Sequence, residues 1–538
     1  MDNTIMRKKA EDARLCFENL KQQTGIETDT KVSFHVSDGQ VKQMKRACYR
    51  KNPFPGFVSV VLCHLRLKAV RRLFKEEAVI QTGPAAAVLA LNAAQANDIK
   101  SIRDGVKNEN PILCDVGFAG LQVIRLYMMG YFGNKTFLKE RCNSAMRVNN
   151  ALNGSFYKYQ TKDGRYFSAH VYYETQKAKM MNVLKLHKSP DEFTMSSLRK
   201  DKKDVAAAIK QFDAADLENK SFDSGACGCI LRDRKEWEAS DVGKAVCDMP
   251  LFRLEKIADT PVKHYGMTSK RGPLSGVKVL DLTHIIAGPA CTRILAEQGA
   301  DVLLVRRGKF EAQEQAMLEL DGWAGKNSIQ LDFNHPEELA KVKELIQQAD
   351  VVVSSYQQGA LDHFGLSPED IHTLNPNVIY GNLMCFSDSV WKTRPGWAPL
   401  AEDITGLSIR NGSKETPVNL NGVPLDYIPG FLLANGILAA LKKSMTEGGA
   451  YTVTGSLTRA GYWLHECTDL KLLNKPFCYT SDIVKNQPVP MWNHVLQEVS
   501  GTSVGTVFFP SPATFQKGAC VPMANMTFTD GNSTWKVN

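Results

Sequence analysis

The sequence predicts an α/β protein: a doubly wound parallel sheet accompanied by a smaller α+β domain. Three features carry this expectation. After residue 276 short apolar runs alternate with amphipathic helical stretches, turn residues bound each run, and the pattern before residue 270 is of a different kind. With 538 residues, 43% of them hydrophobic, the chain also exceeds what one core usually holds, so more than one domain is expected.

The run Val-Lys-Val-Leu-Asp-Leu at 277–282 follows Pro273 and Gly276 and reads as a buried strand. A loop at 283–288 comes next. Pro289 stands where a first helical turn tolerates it, Gly299 stops that helix, and 301–305 reads as the second strand. Such a strand–helix–strand unit requires a right-handed crossover and predicts a ligand crevice at the carboxyl end of its first strand. The alternation continues with a helix at 336–348, a strand at 350–353, a helix at 368–374 and a strand at 377–380. Residues 430–443 are small and apolar throughout, which predicts a helix buried between layers, with Asp426 just before its start.

The earlier part reads as helical to about residue 107, with a further helix at 118–132. A turn at Lys162-Asp163-Gly164-Arg165 leads into a strand at 166–171, 200–220 is charged and helical, and 250–271 is a long extended connection. The expected divisions are 1–110, mainly helical; 111–270, with the small α+β domain and the connection; 271–470, the Rossmann-like sheet; and 471–538, a returning tail.

No stretch reads as a run of roughly 18 to 20 apolar residues, and Arg7, Lys8 and Lys9 precede a charged segment, so neither a spanning helix nor a secretory leader is expected. The expected location is cytoplasmic, with mitochondrial or peroxisomal residence left open. Thirteen cysteines without CxxC pairs suit free thiols, and Cys227 and Cys229 read as small core residues, so no metal site is expected. The net charge of +9 resides in residues 1–75, where 16 Lys plus Arg face 7 Asp plus Glu. Interleaved with apolar residues and acids, these cations read as a solvated helical face, so neither nucleic acid nor membrane is the expected partner.

The stretch Pro-Leu-Ser-Gly-Val-Lys-Val-Leu-Asp-Leu-Thr-His-Ile-Ile-Ala-Gly-Pro-Ala-Cys-Thr from Pro273, continuing to Gly-Ala-Asp-Val-Leu-Leu-Val at 299–305, resembles the opening of family III CoA-transferases, the CaiB/BaiF family. This group also contains carnitine and formate CoA-transferases and α-methylacyl-CoA racemases. The resemblance continues in order through Lys-Asn-Ser-Ile-Gln-Leu-Asp at 326–332, Gln-Ala-Asp-Val-Val-Val at 348–353, Gly-Ala-Leu-Asp at 359–362, Leu-Asn-Pro at 374–376 and Leu-Asp-Tyr-Ile-Pro-Gly at 425–430. In the first half, Asn-Gly-Ser-Phe-Tyr at 153–157 and Arg232 to Trp237 are similar to segments that open and close the family's small second domain. The chain therefore resembles a worn family unit without a recognisable N-terminal sheet, followed by a fresh sheet domain. That arrangement implies an intramolecular pseudo-dimer, or a homodimer.

The resemblance implies that CoA moves between an acyl-CoA and a small carboxylic acid through an aspartyl mixed anhydride and an aspartyl-CoA thioester, with no tightly bound cofactor. Asp426 falls on the nucleophile's position, where helix amides would keep it ionised; read without the resemblance, it is a helix N-cap. CoA contacts are implied for His284, Ile286, Ala287 and Gly288 in the first loop, for Arg307 at the nucleotide end, and for Lys326, Ser355 and Tyr356. Ile286 replaces a glutamine found in many transferases, and His284 reads equally well as a hydrogen-bonded structural residue. A racemase-like enzyme and a non-catalytic acyl-CoA-binding homologue are the alternatives. Against the racemase, Trp397 stands where its histidine is expected and Ala398 where its acid follows. Glu402 and Asp403 are the next carboxylates, and Asp115 resembles a structural position.

Overall fold

The computed structural model describes residues 3–36, 75–76, 78–126, 156–171, 174–189, 192–194, 196–269, 271–306, 321–387, 389–471, 477–478, 496–502, 505–510, 513–516 and 519–520. Its first elements are helix α1 (Asn3–Thr24), strand β1 (Val32–His35), helix α2 (Thr82–Asp104), strand β2 (Ile112–Asp115) and helix α3 (Val116–Val123). Alanine-rich α2 ends on Gly105 at φ 65°, a left-handed cap, and its small side chains let neighbours approach closely. The Asp115 carboxylate accepts the Phe118 amide at 3.0 Å, so Asp115 is the N-cap of α3. Strands β1 and β2 pair in parallel, and Thr514–Gln516 from the tail pairs antiparallel with β2. This region, expected to be helical and to lack a sheet, thus contains one. Four-residue strands whose partners come from distant sequence leave no local periodic signal.

A second sheet is antiparallel: β3 (Lys158–Gln160), β4 (Tyr166–His170) and β5 (Cys227–Ile230). Gly164, at φ 79°, makes the β3–β4 turn possible. The charged stretch expected as one helix is two, Leu198–Ile209 and Ala214–Asp223. Of the predicted helix at 118–132, positions 127–132 lie outside the described residues.

The large sheet collects β6 (Phe252–Ala258), β7 (Lys278–Asp281), β8 (Asp301–Arg306), β9 (Asn327–Gln330), β10 (Val351–Ser354), β11 (Ile379–Met384) and β12 (Ala450–Ser456). Their spatial order is β9-β8-β7-β10-β11-β12-β6, all parallel except β6. Counted from β7, this is the doubly wound order, which reverses between β7 and β10. β8 and β10 are buried along their whole length, as strands covered on both faces must be. Antiparallel β6 corrects the expected connection at 250–271. Phe252 is its only fully buried residue and the charges beyond it mark a protected edge, so its pattern resembles a linker.

The intervening helices are α4 (Ala287–Glu297), α5 (Pro336–Gln348), α6 (Pro368–Leu374), α7 (Ala398–Thr405), α8 (Pro424–Thr446) and α9 (Leu457–Leu470). Among the described residues α8 is the one helix long and apolar enough to cross a membrane, which the sequence reading missed by starting it at 430. It is instead enclosed by protein, α2 lying on one side and the sheet on the other. Asn92 Nδ2 donates to the Phe431 carbonyl at 3.1 Å, Gln95 Nε2 to Asn435 Oδ1 at 2.8 Å, and Asn435 Nδ2 to the Val88 carbonyl at 3.2 Å. Buried amides matched in this way fix the register of α2 on α8.

A fragment of residues 271–538 therefore loses both the cover on α8 and the β6 edge. It is expected to bind a hydrophobic dye and to melt without a cooperative transition in circular dichroism, whereas the full chain melts sharply. A soluble fragment that unfolds cooperatively would contradict this packing.

Candidate active site

Two loops meet at the switch point, one after β7 and one after β10. The His284 amide donates to Ser355 Oγ at 3.1 Å, and the His284 ring stacks on Tyr356 with centroids 4.6 Å apart. Ile285 sits at φ +69°, a left-handed conformation that a β-branched residue rarely adopts. Gly288 is needed for close approach: a Cβ there would lie 2.5 Å from Thr283 Cβ and 2.8 Å from Ser355 Cβ.

Lys326 sits behind this loop and not in the cleft. It is fully buried, its Nζ 2.8 Å from Asp281 Oδ2, and it also donates to Thr292 Oγ1 at 2.7 Å and to the Pro289 carbonyl at 3.0 Å. The CoA contact expected of Lys326 is thus replaced by a structural tie between β7 and α4, because a buried ammonium needs its carboxylate. Arg307 lies outside the described residues. Its neighbour Arg306, at the end of β8, is buried with its guanidinium 4.4 Å from the Trp323 ring centroid.

Helix α8 begins at Pro424 and not at 430, so Asp426 occupies its first turn. The cap is Val423, which has no capping side chain, and this corrects the N-cap reading. Pro424 suits the first helical position; Pro429 lies inside the helix, where it cannot donate to the Leu425 carbonyl. One turn on, a Cβ at Gly430 would stand 2.2 Å from the Ala287 carbonyl oxygen. Here α8 meets α4 backbone to backbone, which brings Asp426 to the loop.

Asp426 is 9% exposed. Its carboxylate has no hydrogen-bond or ion-pair partner among the described residues, and burial pushes it up to about 7. Desolvation by the surrounding apolar layer thus outweighs the helix amides that were expected to keep it ionised.

A cavity of about 810 Å³ is lined by Asp426, His284, Ile286, Ala287, Gly288, Ser355 and Tyr356 together with the edge of the small antiparallel sheet. Asp426 is the only acid among its described lining residues. The sheet contributes Lys158, Ser168 and His170, which the sequence reading did not single out. The strand periodicity of 166–171 could have shown that Ser168 and His170 share a face. Lys158 Nζ is 2.6 Å from Asp403 Oδ1, His170 Nε2 is 3.6 Å from Asp403 Oδ2 and 3.1 Å from Ser168 Oγ, and the His170 ring meets Trp397 edge to face. Burial acts to raise the Asp403 carboxyl, but Lys158 and His170 hold it down to about 2. Burial pushes Glu402 up to about 8 even though it accepts from Asn419 Nδ2 at 2.7 Å and from the Leu420 amide at 3.0 Å. Neither of these acids lines the cavity.

The fold and this cleft define a doubly wound α/β protein with, among the described residues, one buried and unpaired carboxylate lining the cleft at its switch point. Residues 274–478, which contain the cleft loops and Asp426, match the model of CoA-transferase family III. It is similar to the acetyl-coenzyme A transferase nodX of Hypoxylon pulicicidum, with 28% identity over 344 residues, 61% of this chain and 56% of the relative. It is also similar to the formyl-CoA:oxalate CoA-transferase of Escherichia coli O81, with 32% identity over 200 residues, 35% of this chain and 48% of the relative. The chain thus spans about half the length of the curated relatives it matches. A solved CaiB/BaiF family protein from Brucella suis is 24% identical over 44% of this chain and 65% of that one, with a TM-score of 0.32.

The raised Asp426 carboxyl has a consequence for stability. Between the unfolded value near 3.9 and about 7 the native state retains a proton that the unfolded state has released, so the group costs stability increasingly as pH rises through that window. Asp426→Asn removes the charge. At pH 8 the variant should exceed wild type by on the order of 1 to 4 kcal/mol in urea unfolding, with no difference at pH 4. Equal gains at both pH values would show that Asp426 is not held in this state.

Proposed function

We propose that this chain moves CoA between an acyl-CoA and a carboxylic acid, with Asp426 as the covalent nucleophile. The carrying observation is that, among the described residues, Asp426 is the sole acid lining the cleft and has no partner. A carboxylate already engaged by cations, as Asp403 is, would be a poor nucleophile; one stripped of water and partners is a good one.

An Asp426 oxygen attacks the thioester carbonyl and the CoA thiolate leaves, which forms an acyl-aspartyl anhydride. The thiolate then attacks the aspartyl carbonyl, releasing the donor acid as its carboxylate and leaving an aspartyl-CoA thioester. An acceptor carboxylate reverses the two steps and regenerates Asp426. The thiolate must stay close while the acids exchange, which requires the cleft to hold CoA by contacts away from its thiol. Ala287 and Gly288 line the cleft at the start of α4, where first-turn amides lack intrahelical acceptors and suit a developing oxyanion. CoA is substrate in this scheme, and no resident cofactor is needed.

The packing of residues 82–126 on α8 supports a chain that supplies, within itself, cover that separate subunits could otherwise provide. The eight described cysteines are unpaired, which favours a reducing compartment such as the cytoplasm. His170, standing in the cleft against Trp397, favours proton transfer at the α-carbon as a second reading. Deuterium uptake into an acyl-CoA in D₂O, abolished by His170→Gln, would support that reading over transfer.

The test incubates wild type and Asp426→Asn with acetyl-CoA and pooled carboxylic acids and follows new thioesters by mass spectrometry. Wild type should form them, should show an enzyme-bound CoA thioester by intact mass, and should gain rate as pH rises through about 7. The Asn variant should lose on the order of 10³-fold or more. Retention of most turnover by that variant would exclude Asp426 as nucleophile.

A further inference from the structure

The segment between β11 and α7 brings two cations into the cleft that no described residue neutralises. Lys392 and Arg394 both line the cavity. The Arg394 guanidinium lies 4.2 Å from the Phe222 ring centroid and 4.5 Å from that of Trp391. Trp391 is in turn held edge to face by Phe386 at 5.3 Å. Arg394 Nη1 is buried without a hydrogen-bond partner, and no described acid forms an ion pair with Arg394. The acids that influence it are engaged or turned outward: Glu218 is taken by Arg232 at 2.7 and 2.8 Å, and Asp223 is exposed to solvent. Lys392 is exposed and likewise has no ion pair among the described residues.

Aromatic faces fix the plane of the guanidinium, so it cannot swing out to a distant carboxylate. A planar, immobilised fork is suited to bidentate recognition of an oxyanion. A partly buried cation without a partner also carries a desolvation cost, which an incoming anion would offset. The charges around the cavity point the same way. Lys158 is matched by Asp403 and one negative charge is available on Asp426, so Lys392 and Arg394 leave the cleft positive.

We propose that Arg394, assisted by Lys392, forms an anion subsite of the cleft for an oxyanion group of the substrate other than the reacting thioester. Two parts of the substrates share that chemistry: a phosphate of CoA, and a second carboxylate on the acid. The identity of these substrates rests on the transfer reading above; the presence of the subsite does not.

The experiment uses the full chain and Arg394→Met, which keeps an apolar stem between the two rings, with Lys392→Met as a second variant whose exposed position spares the fold. Calorimetry compares CoA with pantetheine, which lacks every phosphate, and succinate with butyrate. With the unfolding midpoint near that of wild type, Arg394→Met should weaken binding of one charged probe by about 10- to 100-fold and leave its uncharged counterpart unchanged. Collapse of the CoA-over-pantetheine ratio assigns the subsite to phosphate; collapse of the succinate-over-butyrate ratio assigns it to a second carboxylate. Lys392→Met should shift the same ratio by a few-fold, and less at high salt. If both ratios survive in both variants, the subsite is refuted, whether or not CoA is transferred. If wild type exchanges no CoA with any acid while a ratio still depends on Arg394, the subsite stands and the transfer reading falls.

Discussion

The structure depends on the enclosure of helix α8. Its apolar surface runs around the whole helix, so it must be covered on every side. The parallel sheet and α4 cover part of it and α2, from the far end of the sequence, covers another part. Because Gly430 carries no Cβ, α8 sits against the Ala287 carbonyl, and this contact sets the distance between the first turn of α8 and the loop after β7. An acid placed in that turn is desolvated as a consequence of the packing. Asp426 needs no dedicated partner to become unusual; it needs only that α8 be buried from its first residue.

Three neighbouring acids show how burial and charge compete. Asp426, Glu402 and Asp403 are all buried. Desolvation raises the first two, and the hydrogen bonds that Glu402 accepts do not reverse the effect. Asp403 alone moves down, because Lys158 and His170 supply charge at short range. Neutral donors soften the cost of a buried carboxylate, whereas a cation in contact overcomes it. Of the three, only Asp426 combines a raised carboxyl with a face on the cavity, and for this reason the proposed chemistry is assigned to it and not to its neighbours.

Much of the sheet domain was legible because its central parallel strands are built on apolar runs, the first two of them preceded by glycine. Helices α5 and α6 have the predicted bounds, and the crevice lies at the carboxyl end of β7, where a strand–helix–strand unit requires it. Most of the loop residues named from the sequence line one cavity with Asp426. The parts that were not legible share a cause, namely that they depend on partners distant in sequence. Strands β1 and β2 are too short to announce themselves without each other and the tail. The edge strand β6 buries little beyond Phe252. The helix read from 430 in fact opens at Pro424, which fits the first turn, and the enclosure of α8 accommodates Pro429 within it. Lys326 lay inside a matching motif, but whether a lysine there faces ligand or Asp281 is decided by which side of the loop its chain passes.

The same reasoning explains why the cations of the cleft escaped notice. A lysine or arginine in a sequence is presumed solvated or paired, and only the fold shows which has been brought in without its counter-ion. Lys158 has one: Asp403, on α7, reaches the small sheet, and the Arg232 amide donates to the Asp403 carbonyl at 3.2 Å, so side chain and backbone together tie that sheet to the large domain. Asp403 therefore sets how far the wall bearing Lys158 and His170 stands from Asp426. The loop that follows β11 belongs to the large domain, yet it places Arg394 against Phe222 of the small one. Asp426, the sheet wall and the Arg394 guanidinium are thus held in relation by contacts between the large domain and the small sheet, one ionic and one aromatic. The width of the cleft follows from these contacts: lengthening the first would strand a buried ion pair, and lengthening the second would uncover the face of the Arg394 guanidinium.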